Sequence, residues 1–179
     1  MTVTLIGMPA VGKSSLGKSV AKKLGMKFID PDKTIENRYG KRLQEIIDEF
    51  GLDEFKKIED EVLSTIDVEN AIIAPGGSAV YYERAMQRLK SVGPVIYLSA
   101  SLPTIKLRLG DFSKRGVVLR PDQTIDDVYR ERIPLFERYA DYIIDCDSSR
   151  YNKFRSEIIY IIKKSEKSAA ENSGDFLNT

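Results

Sequence analysis

The spacing of hydrophobic residues along this chain switches between two patterns. Five short apolar runs are separated by stretches in which apolar residues recur every three or four positions. The runs are Val3–Ile6, Lys27–Asp30, Ala71–Ala74, Val95–Leu98 and Tyr142–Asp145. Strands that alternate with helices predict an α/β fold, with a five-stranded parallel sheet between layers of helices.

The long interval between the second and third runs lacks a strand pattern. Its apolar residues keep mostly helical spacing, which predicts two or three helices beside the sheet, over about residues 33–61. Residues 1–164 are expected to form a single domain. Residues 165–179 are rich in Ser, Lys, Glu, Asn and Gly, and a disordered tail is predicted there.

The first apolar run leads into the motif G-x-x-x-x-G-K-S, which spans Gly7 to Ser14. A helical pattern follows, so the motif has the strand–loop–helix context of a phosphate-binding P-loop. Backbone N–H groups of such a loop and the helix N-terminus bind polyphosphate. Lys13 is predicted to reach the β- and γ-phosphates, and the Ser14 hydroxyl to bind Mg²⁺. The chain is therefore expected to bind ATP or GTP.

Two carboxylates follow the second apolar run, at Asp30 and Asp32. In an extended segment both would point to the same side, at the sheet edge where parallel α/β proteins bind ligands. One carboxylate would then support Mg²⁺ and the other would accept a proton from an attacking hydroxyl. The alternative is that Asp30 caps a helix that begins at Pro31.

Three further groups are candidates for binding the molecule that carries the attacking hydroxyl, which we call the acceptor. Lys56 lies on a helical face close enough to Glu59 to interact, although a solvated charged face has the same spacing. Gly76-Gly77-Ser78 follows the third run, where glycines allow a ligand close to the backbone, or form a plain tight turn. Arg132 precedes a proline within a helix predicted over 124–139, and it suits either a bound carboxylate or a surface ion pair.

A short polar segment between Gly110 and Gly116 has the composition of a lid over bound phosphates. Arg115 on that segment would stabilise the charge of a transferring phosphoryl group, unless it is a solvated loop arginine.

Composition narrows the possible functions. The net charge is +1, which gives no field that would attract nucleic acid or a membrane surface. No apolar run approaches the length of a membrane-spanning helix, and no signal peptide is expected, because the first strand is predicted from Val3. One cysteine suits a reducing cytoplasm, and a monomer is expected. Because the chain has no histidine, a general base must be a carboxylate, a lysine or a tyrosine.

The ordered set of motifs resembles the shikimate kinases over about residues 2–162. The P-loop is followed by a D-x-D-x-x-I-E motif beginning at Asp30 and by a counterpart of F-R-x-x-E beginning at Phe55. Gly76-Gly77-Ser78 stands for a glycine triplet, and Arg132-Ile133-Pro134-Leu135-Phe136 for R-x-P-L-Y. Arg108 and Arg115 match two arginines at the lid.

The resemblance implies an ATP-dependent, Mg²⁺-dependent kinase that phosphorylates a hydroxyl of shikimate, in aromatic amino acid biosynthesis. It implies a fold with a five-stranded parallel sheet, a helical substrate-binding region and a lid over about residues 110–122. The residues expected to bind the nucleotide are Gly7, Ala10, Val11, Gly12, Lys13, Ser14, Ser15 and Arg108. Those expected to bind the acceptor are Asp32, Lys56, Gly76, Gly77, Ser78 and Arg132. Lys13, Asp32 and Arg115 would be catalytic, and Ser14 and Asp30 would support the metal.

The chain departs from the family pattern at four places. Lys56 replaces an arginine, Ser78 replaces the third glycine, Gly116-Val117-Val118 alters the lid, and Ala10-Val11 alters the P-loop. Lysine keeps the charge but lacks the bidentate geometry of a guanidinium. Two alternatives therefore stay open: a kinase of another small hydroxy acid, sugar acid or nucleotide, and a non-catalytic nucleotide-binding regulator.

Overall fold

The computed structural model describes residues 1–110, 123–148 and 150–174. Its five strands are β1 (Val3–Ile6), β2 (Lys27–Ile29), β3 (Ala71–Ile73), β4 (Val95–Ser99) and β5 (Tyr142–Asp145). They form one parallel sheet in the order β2-β3-β1-β4-β5. The predicted fold class is confirmed, and each strand lies within one or two residues of its apolar run.

Eight α-helices lie between and after the strands in the described part of the chain. They are α1 (Lys13–Leu24), α2 (Pro31–Tyr39), α3 (Leu43–Phe50), α4 (Leu52–Ser64), α5 (Glu83–Val92), α6 (Leu102–Leu109), α7 (Ile125–Tyr139) and α8 (Tyr151–Gly174). A short 3₁₀ helix, Ala79–Tyr81, precedes α5.

The main hydrophobic core lies on the sheet. β1 and β3 are buried along their whole length, because α1 packs beside α8 while α5 and α7 pack against β1 and β4. Burial on both faces explains why the strands read as continuous apolar runs rather than as alternating ones.

The helical region between β2 and β3 has a small core of its own. Helices α2, α3 and α4 bury one cluster that is separate from the core on the sheet: Ile35, Ile46, Phe55, Ile58 and Val62. The prediction of two or three helices beside the sheet is therefore confirmed, and the number is three. Because these helices pack around their own core, they form a distinct unit next to the carboxyl ends of β2 and β3.

The last helix extends further than the sequence pattern predicts. α8 continues to Gly174, so the structure differs from the predicted disordered tail over residues 165–174. Low apolar content removed the packing signal there, but Lys, Glu and Ala have high intrinsic helix propensity and extend a helix that is anchored upstream. The rest of the predicted tail lies outside the described residues.

None of the helices in the described ranges is both long enough and apolar enough to cross a membrane.

Candidate functional site

The P-loop joins β1 to the first turn of α1. Gly7 has a φ of 146°, and a Cβ there would lie 2.5 Å from the carbonyl oxygen of Leu98 at the end of β4. Gly12, with a φ of 109°, turns the chain directly into Lys13, the first residue of the helix. Both glycine positions of the motif are therefore required by the backbone, and the loop ends at an exposed helix N-terminus that suits an anion.

Ala10 adopts an unusual conformation within this loop. Its φ is 63°, one of two positive values among the described non-glycine residues. A left-handed conformation costs an L-residue with a Cβ roughly 1 kcal/mol. Alanine in place of the glycine of the family pattern is thus tolerated at the cost of backbone strain. The next residue, Val11, is buried in the core.

The Lys13 side chain folds back onto the P-loop that precedes it. Its Nζ donates to the carbonyl oxygens of Gly7 at 2.8 Å and Met8 at 3.1 Å. Burial lowers the pKa of Lys13 to about 8, against the opposing effect of the Asp32 carboxylate. A buried ammonium that is held only by neutral carbonyls is suited to receive an anion.

The two candidate carboxylates after β2 have separate places. The Asp30 side chain accepts a hydrogen bond from the Lys33 backbone N–H at 3.4 Å, and Pro31 begins α2. Asp30 therefore caps α2, which is the alternative that the sequence left open. Asp32, in the first turn of the helix, lines a cavity, whereas Asp30 does not. The structure thus favours the capping alternative for Asp30, and of the two carboxylates only Asp32 is among the residues that line this cavity.

Asp32 lies in an environment that favours its protonated form. Burial raises the pKa of Asp32 to about 7, and the charges of Glu59 and Asp30 add to the rise. Lys13 acts in the opposite direction. A carboxyl group whose pKa lies near neutrality is suited to exchange a proton with a bound hydroxyl.

The cavity beside Asp32 lies between the P-loop and the turn that follows β3. Its volume is about 250 Å³. It is lined by Pro9, Ala10, Lys13, Ser14, Asp32, Leu43, Phe55, Glu59, Ala74, Pro75, Gly76, Gly77, Ser78 and Arg132. We call it the inner cavity. Eight of the candidate residues predicted from the sequence line this cavity: Ala10, Lys13, Ser14, Asp32, Gly76, Gly77, Ser78 and Arg132.

The paired glycines leave room that the site requires. A Cβ at Gly76 would lie 3.2 Å from Oδ1 of Asp32 and 3.5 Å from Oε1 of Glu59. A Cβ at Gly77 would lie 2.8 Å from a terminal nitrogen of Arg132. Side chains at these positions would displace charged groups of the site, so the turn serves more than chain reversal.

A second cavity adjoins the first and opens toward α4 and α7. This outer cavity has a volume of about 320 Å³ and shares Phe55, Glu59, Ser78 and Arg132 with the inner one. Its remaining lining residues are Leu52, Lys56, Tyr81, Tyr82, Gln123 and Glu131.

Arg132 lies at the junction of the two cavities, where contacts with Tyr81 fix its side chain. The residue is 5% exposed, although it lies in a helix next to solvent. Its guanidinium lies over the Tyr81 ring, 5.1 Å from the centroid, and its Nε donates to the Tyr81 hydroxyl at 3.2 Å. The surface-ion-pair alternative is therefore excluded for the described structure, and a buried guanidinium remains that can bind a carboxylate.

Lys56 and Glu59 do not interact in the way the spacing suggested. The Lys56 ammonium pairs with Asp53 at 2.9 Å on the exposed side of α4. Glu59 instead turns inward, where its Oε1 accepts from the Ser78 hydroxyl at 2.8 Å and its Oε2 from the Tyr82 hydroxyl at 2.7 Å. Lys56 lines the outer cavity, but it is held by a local ion pair at the rim.

Sequence reasoning missed the two tyrosines of the site. Tyr81 contacts Arg132 and Tyr82 contacts Glu59, and both come shortly after the glycine turn, beyond Ala79 and Val80. Their position next to Gly76-Gly77-Ser78 was the one signal available, since neither belongs to a recognisable motif.

Of the two arginines predicted on the nucleotide side, Arg108 lies within the described residues. Arg108 donates to the carbonyl oxygens of Cys146 at 2.6 Å and Ser148 at 3.2 Å, and so fixes the loop after β5. Arg115 and the predicted lid after Gly110 lie outside the described residues. Ser14 and Ser15 are exposed at the start of α1.

Three comparisons with known proteins agree with this arrangement. A family model described as shikimate kinase matches residues 9–163. The shikimate kinase of Thermodesulfovibrio yellowstonii is 37% identical, with 88% of this chain and 92% of that protein covered. The shikimate kinase of Chlamydia pneumoniae is 35% identical, with 82% and 87% covered. A solved structure of shikimate kinase from Acinetobacter baumannii in complex with shikimate superposes with a TM-score of 0.80 at 26% identity, covering 91% of this chain and 93% of that one.

Proposed function

The chain belongs to the shikimate kinase family, and on that premise we propose that it transfers the γ-phosphoryl group of ATP to a hydroxyl group of shikimate. One observation supports this most strongly: Lys13, Asp32 and Arg132 line a single cavity between the P-loop and the glycine turn. These residues supply, in that order, a cation for phosphate, a proton acceptor and a cation for carboxylate.

The acceptor would be oriented by its two ends. Its carboxylate would bind the guanidinium of Arg132, which Tyr81 already holds in place. The reacting hydroxyl would then lie in the inner cavity against Asp32. Fixed reactants lower the barrier chiefly through orientation, since phosphoryl transfer needs little covalent chemistry from the protein.

The transfer would move one phosphoryl group to the acceptor and one proton to the protein. The acceptor oxygen forms a bond to the γ-phosphorus while the bond from that phosphorus to the β,γ-bridging oxygen breaks, and ADP leaves. The hydroxyl proton passes to Asp32, whose raised pKa suits it to that role. Lys13 would exchange its contacts with the Gly7 and Met8 carbonyls for phosphate oxygens, where it stabilises the charge.

The residues present also fit Mg²⁺. The Ser14 hydroxyl lines the inner cavity, and Asp30 lies in the adjoining segment after β2; hydroxyl and carboxylate oxygens are the ligands that Mg²⁺ prefers. Bound there, the ion would neutralise charge on the β- and γ-phosphates. Asp30 would contribute only from its capping position, so we propose Ser14 as the principal protein ligand.

The remaining nucleotide contacts are proposals of the same kind. Gly7, Gly12 and Ser15 would act through the loop and the start of α1. Arg108 would lie by the adenine, and Arg115 would contact the transferring phosphoryl group. We propose that the enzyme acts as a monomer, since one chain supplies the lining of both cavities.

A coupled ADP-release assay with Mg²⁺-ATP and a panel of hydroxy acids tests the function. Shikimate should stimulate ADP release well above the ATPase background, whereas a sugar acid or a nucleoside monophosphate should not. Stimulation by another acid but not by shikimate would refute the acceptor and leave the reaction class. No stimulation by any acceptor would refute the kinase activity and favour a nucleotide-binding regulator.

A further inference from the structure

The buried cation between the two cavities is restrained by a tyrosine that belongs to none of the sequence motifs. Within the described residues, the guanidinium of Arg132 donates one hydrogen bond, from Nε to the Tyr81 hydroxyl, and forms no salt bridge. Its second contact is also with Tyr81, whose ring centroid lies 5.1 Å from the guanidinium carbon. One side chain therefore makes both of the polar contacts that hold this cation in the described structure.

The backbone that carries Tyr81 is itself fixed. Tyr81 ends the 3₁₀ helix that contacts α7, its N–H donates to the Ser78 carbonyl oxygen at 2.9 Å, and the two residues before it, Ala79 and Val80, are buried. The Tyr81 side chain is 39% exposed and lines the outer cavity, so it contributes little to the core. A large aromatic ring at such a place is best explained by its contact with the cation.

We propose that Tyr81 is a positioning residue that occupies the Nε edge of Arg132, so that the acceptor carboxylate binds end-on, through the two terminal nitrogens. The proposal rests on the proposed function for the identity of the acceptor. It adds a residue to the acceptor side and a defined geometry of carboxylate binding.

The donor geometry of a guanidinium decides between two ways of binding a carboxylate. Side-on binding uses Nε and one terminal nitrogen, whereas end-on binding uses both terminal nitrogens. Nε carries a single hydrogen, and the Tyr81 hydroxyl already accepts it at 3.2 Å. Side-on binding would break that hydrogen bond, but end-on binding keeps both contacts between Arg132 and Tyr81.

The terminal nitrogens of Arg132 are available to a ligand. A Cβ at Gly77 would lie 2.8 Å from Nη1, and Gly77 lines the inner cavity, so this nitrogen lies against the glycine turn. Neither terminal nitrogen has an acceptor among the described residues. The edge of the guanidinium that Tyr81 leaves open is therefore the one that a carboxylate can reach.

An arginine that is already oriented loses less side-chain freedom when its ligand binds. Burial and the two Tyr81 contacts impose much of that order on Arg132 before the acceptor arrives. Tyr81 lines the outer cavity but not the inner one, which contains Lys13 and Ser14 of the P-loop. Removal of its contacts should therefore weaken binding of the acceptor and leave binding of ATP unchanged.

The kinetic test compares Y81F, which keeps the ring and loses the hydroxyl, with Y81L, which loses both. Y160F and Y160L are the matched controls, because Tyr160 of α8 is 68% exposed and lines neither cavity. The KM for shikimate should rise about threefold in Y81F and about tenfold in Y81L, with the KM for ATP unchanged. A merely structural role would reduce the amount of active enzyme, which lowers kcat and leaves both KM values unchanged.

NMR of the arginine side chains gives a second readout that begins with the free protein. The ¹H–¹⁵N cross-peak of the Arg132 Nε–H group is assigned by its loss in R132K. Its exchange with water should be about fivefold faster in Y81F than in the wild type, because the hydrogen bond is lost. Shikimate added to the wild type should shift the terminal-nitrogen resonances of Arg132 more than this cross-peak.

The outcomes separate this inference from the proposed function. If Y81F and Y81L leave the KM for shikimate unchanged, as Y160F and Y160L should, the positioning role is refuted. If shikimate shifts the Nε–H cross-peak as much as the terminal-nitrogen resonances, binding is side-on and the proposed geometry is refuted. If the wild type does not respond to shikimate, the proposed function fails, and Nε–H exchange in Y81F still decides whether Tyr81 fixes Arg132.

Discussion

At the scale of single residues, the site shifts the pKa values of an acid and a base toward each other. Burial raises the pKa of Asp32 to about 7 and lowers that of Lys13 to about 8. Both residues are less stable in their charged forms than they would be in water. Such strain is typical of functional sites, where groups are kept reactive at the expense of folding stability.

Asp32 should therefore destabilise the free protein at alkaline pH. The folded state binds its proton more tightly than the unfolded state, whose carboxyl has a pKa near 3.8. The penalty is complete above pH 7, shrinks as the pH falls through 7, and vanishes below about 4. Lys13 does not mask the effect, because its own penalty changes only as the pH rises through about 8.

The variant D32N should consequently be more stable than the wild type at pH 8, by on the order of 2 kcal/mol in the free energy of unfolding. That difference should shrink steadily by pH 5, as urea denaturation at several pH values would show. A difference that does not change with pH would contradict the raised pKa of Asp32.

Ala10 supplies a second prediction at this scale. Its φ of 63° is a conformation that glycine adopts freely, so A10G should relieve strain. Part of the gain is lost because glycine makes the unfolded chain more flexible. We expect a net stabilisation of about 0.5 kcal/mol by urea denaturation.

Gly25 provides the matched control for Ala10. It has a φ of 67° at the end of α1, and a Cβ there would meet no atom within 4 Å. G25A should therefore cost about 1 kcal/mol through backbone conformation alone. A loss of stability in A10G, together with that cost in G25A, would show that the Ala10 methyl makes contacts worth more than the strain.

At the scale of elements, the acceptor side depends on the small core of α2, α3 and α4. This cluster is separate from the core on the sheet, and Phe55, one of its members, lines both cavities. The packing of the three helices therefore shapes the cavity wall that we propose binds the acceptor.

Truncating Ile46 tests that dependence. Ile46 of α3 is completely buried within the cluster, so I46A should destabilise the protein by about 3 kcal/mol. It should also raise the KM for the acceptor more than the KM for ATP, because the P-loop lies in the other core. I143A on the edge strand β5, where the side chain is 55% exposed, should cost less than about 1 kcal/mol and change neither KM. Equal rises in both KM values for I46A would contradict separate packing of the acceptor side.

At the scale of the whole molecule, the sheet order is consistent with binding of the proposed two substrates beside different strands. β1 lies between β3 and β4, so the P-loop emerges where chain connections diverge to either side. The glycine turn after β3 and helix α2 after β2 form the proposed acceptor side. Arg108 and the loop after β5 lie on the opposite flank. The γ-phosphate would thus lie where the two halves meet.

The features that the sequence predicts well are those set by local pattern. The strands, the P-loop and the glycine turn each follow from a short run whose backbone requirement is visible in its residues. Helix α8 is the exception, since its end depends on propensity rather than on an apolar face.

The features that the sequence predicts poorly depend on competition or on distance. The sequence around Asp30 is compatible both with a carboxylate that faces the pocket and with a helix cap, and the structure has the cap. Lys56 pairs with Asp53 three residues away rather than with Glu59. The bonds that fix Glu59 join residues 19 and 23 positions apart, between α4 and the segment after the glycine turn, and periodicity does not report on such contacts.

The most direct measurement of the central claim is ³¹P NMR of Mg²⁺-ATP and shikimate incubated with the wild type, D32N or D67N. The wild type and D67N, which changes an exposed carboxylate outside both cavities, should produce ADP and a phosphate monoester resonance in equal amounts. D32N should bind ATP normally and form the monoester at least about 100-fold more slowly, because the proton acceptor is lost. Release of inorganic phosphate alone, or monoester formation by D32N at the rate of the wild type, would contradict the account.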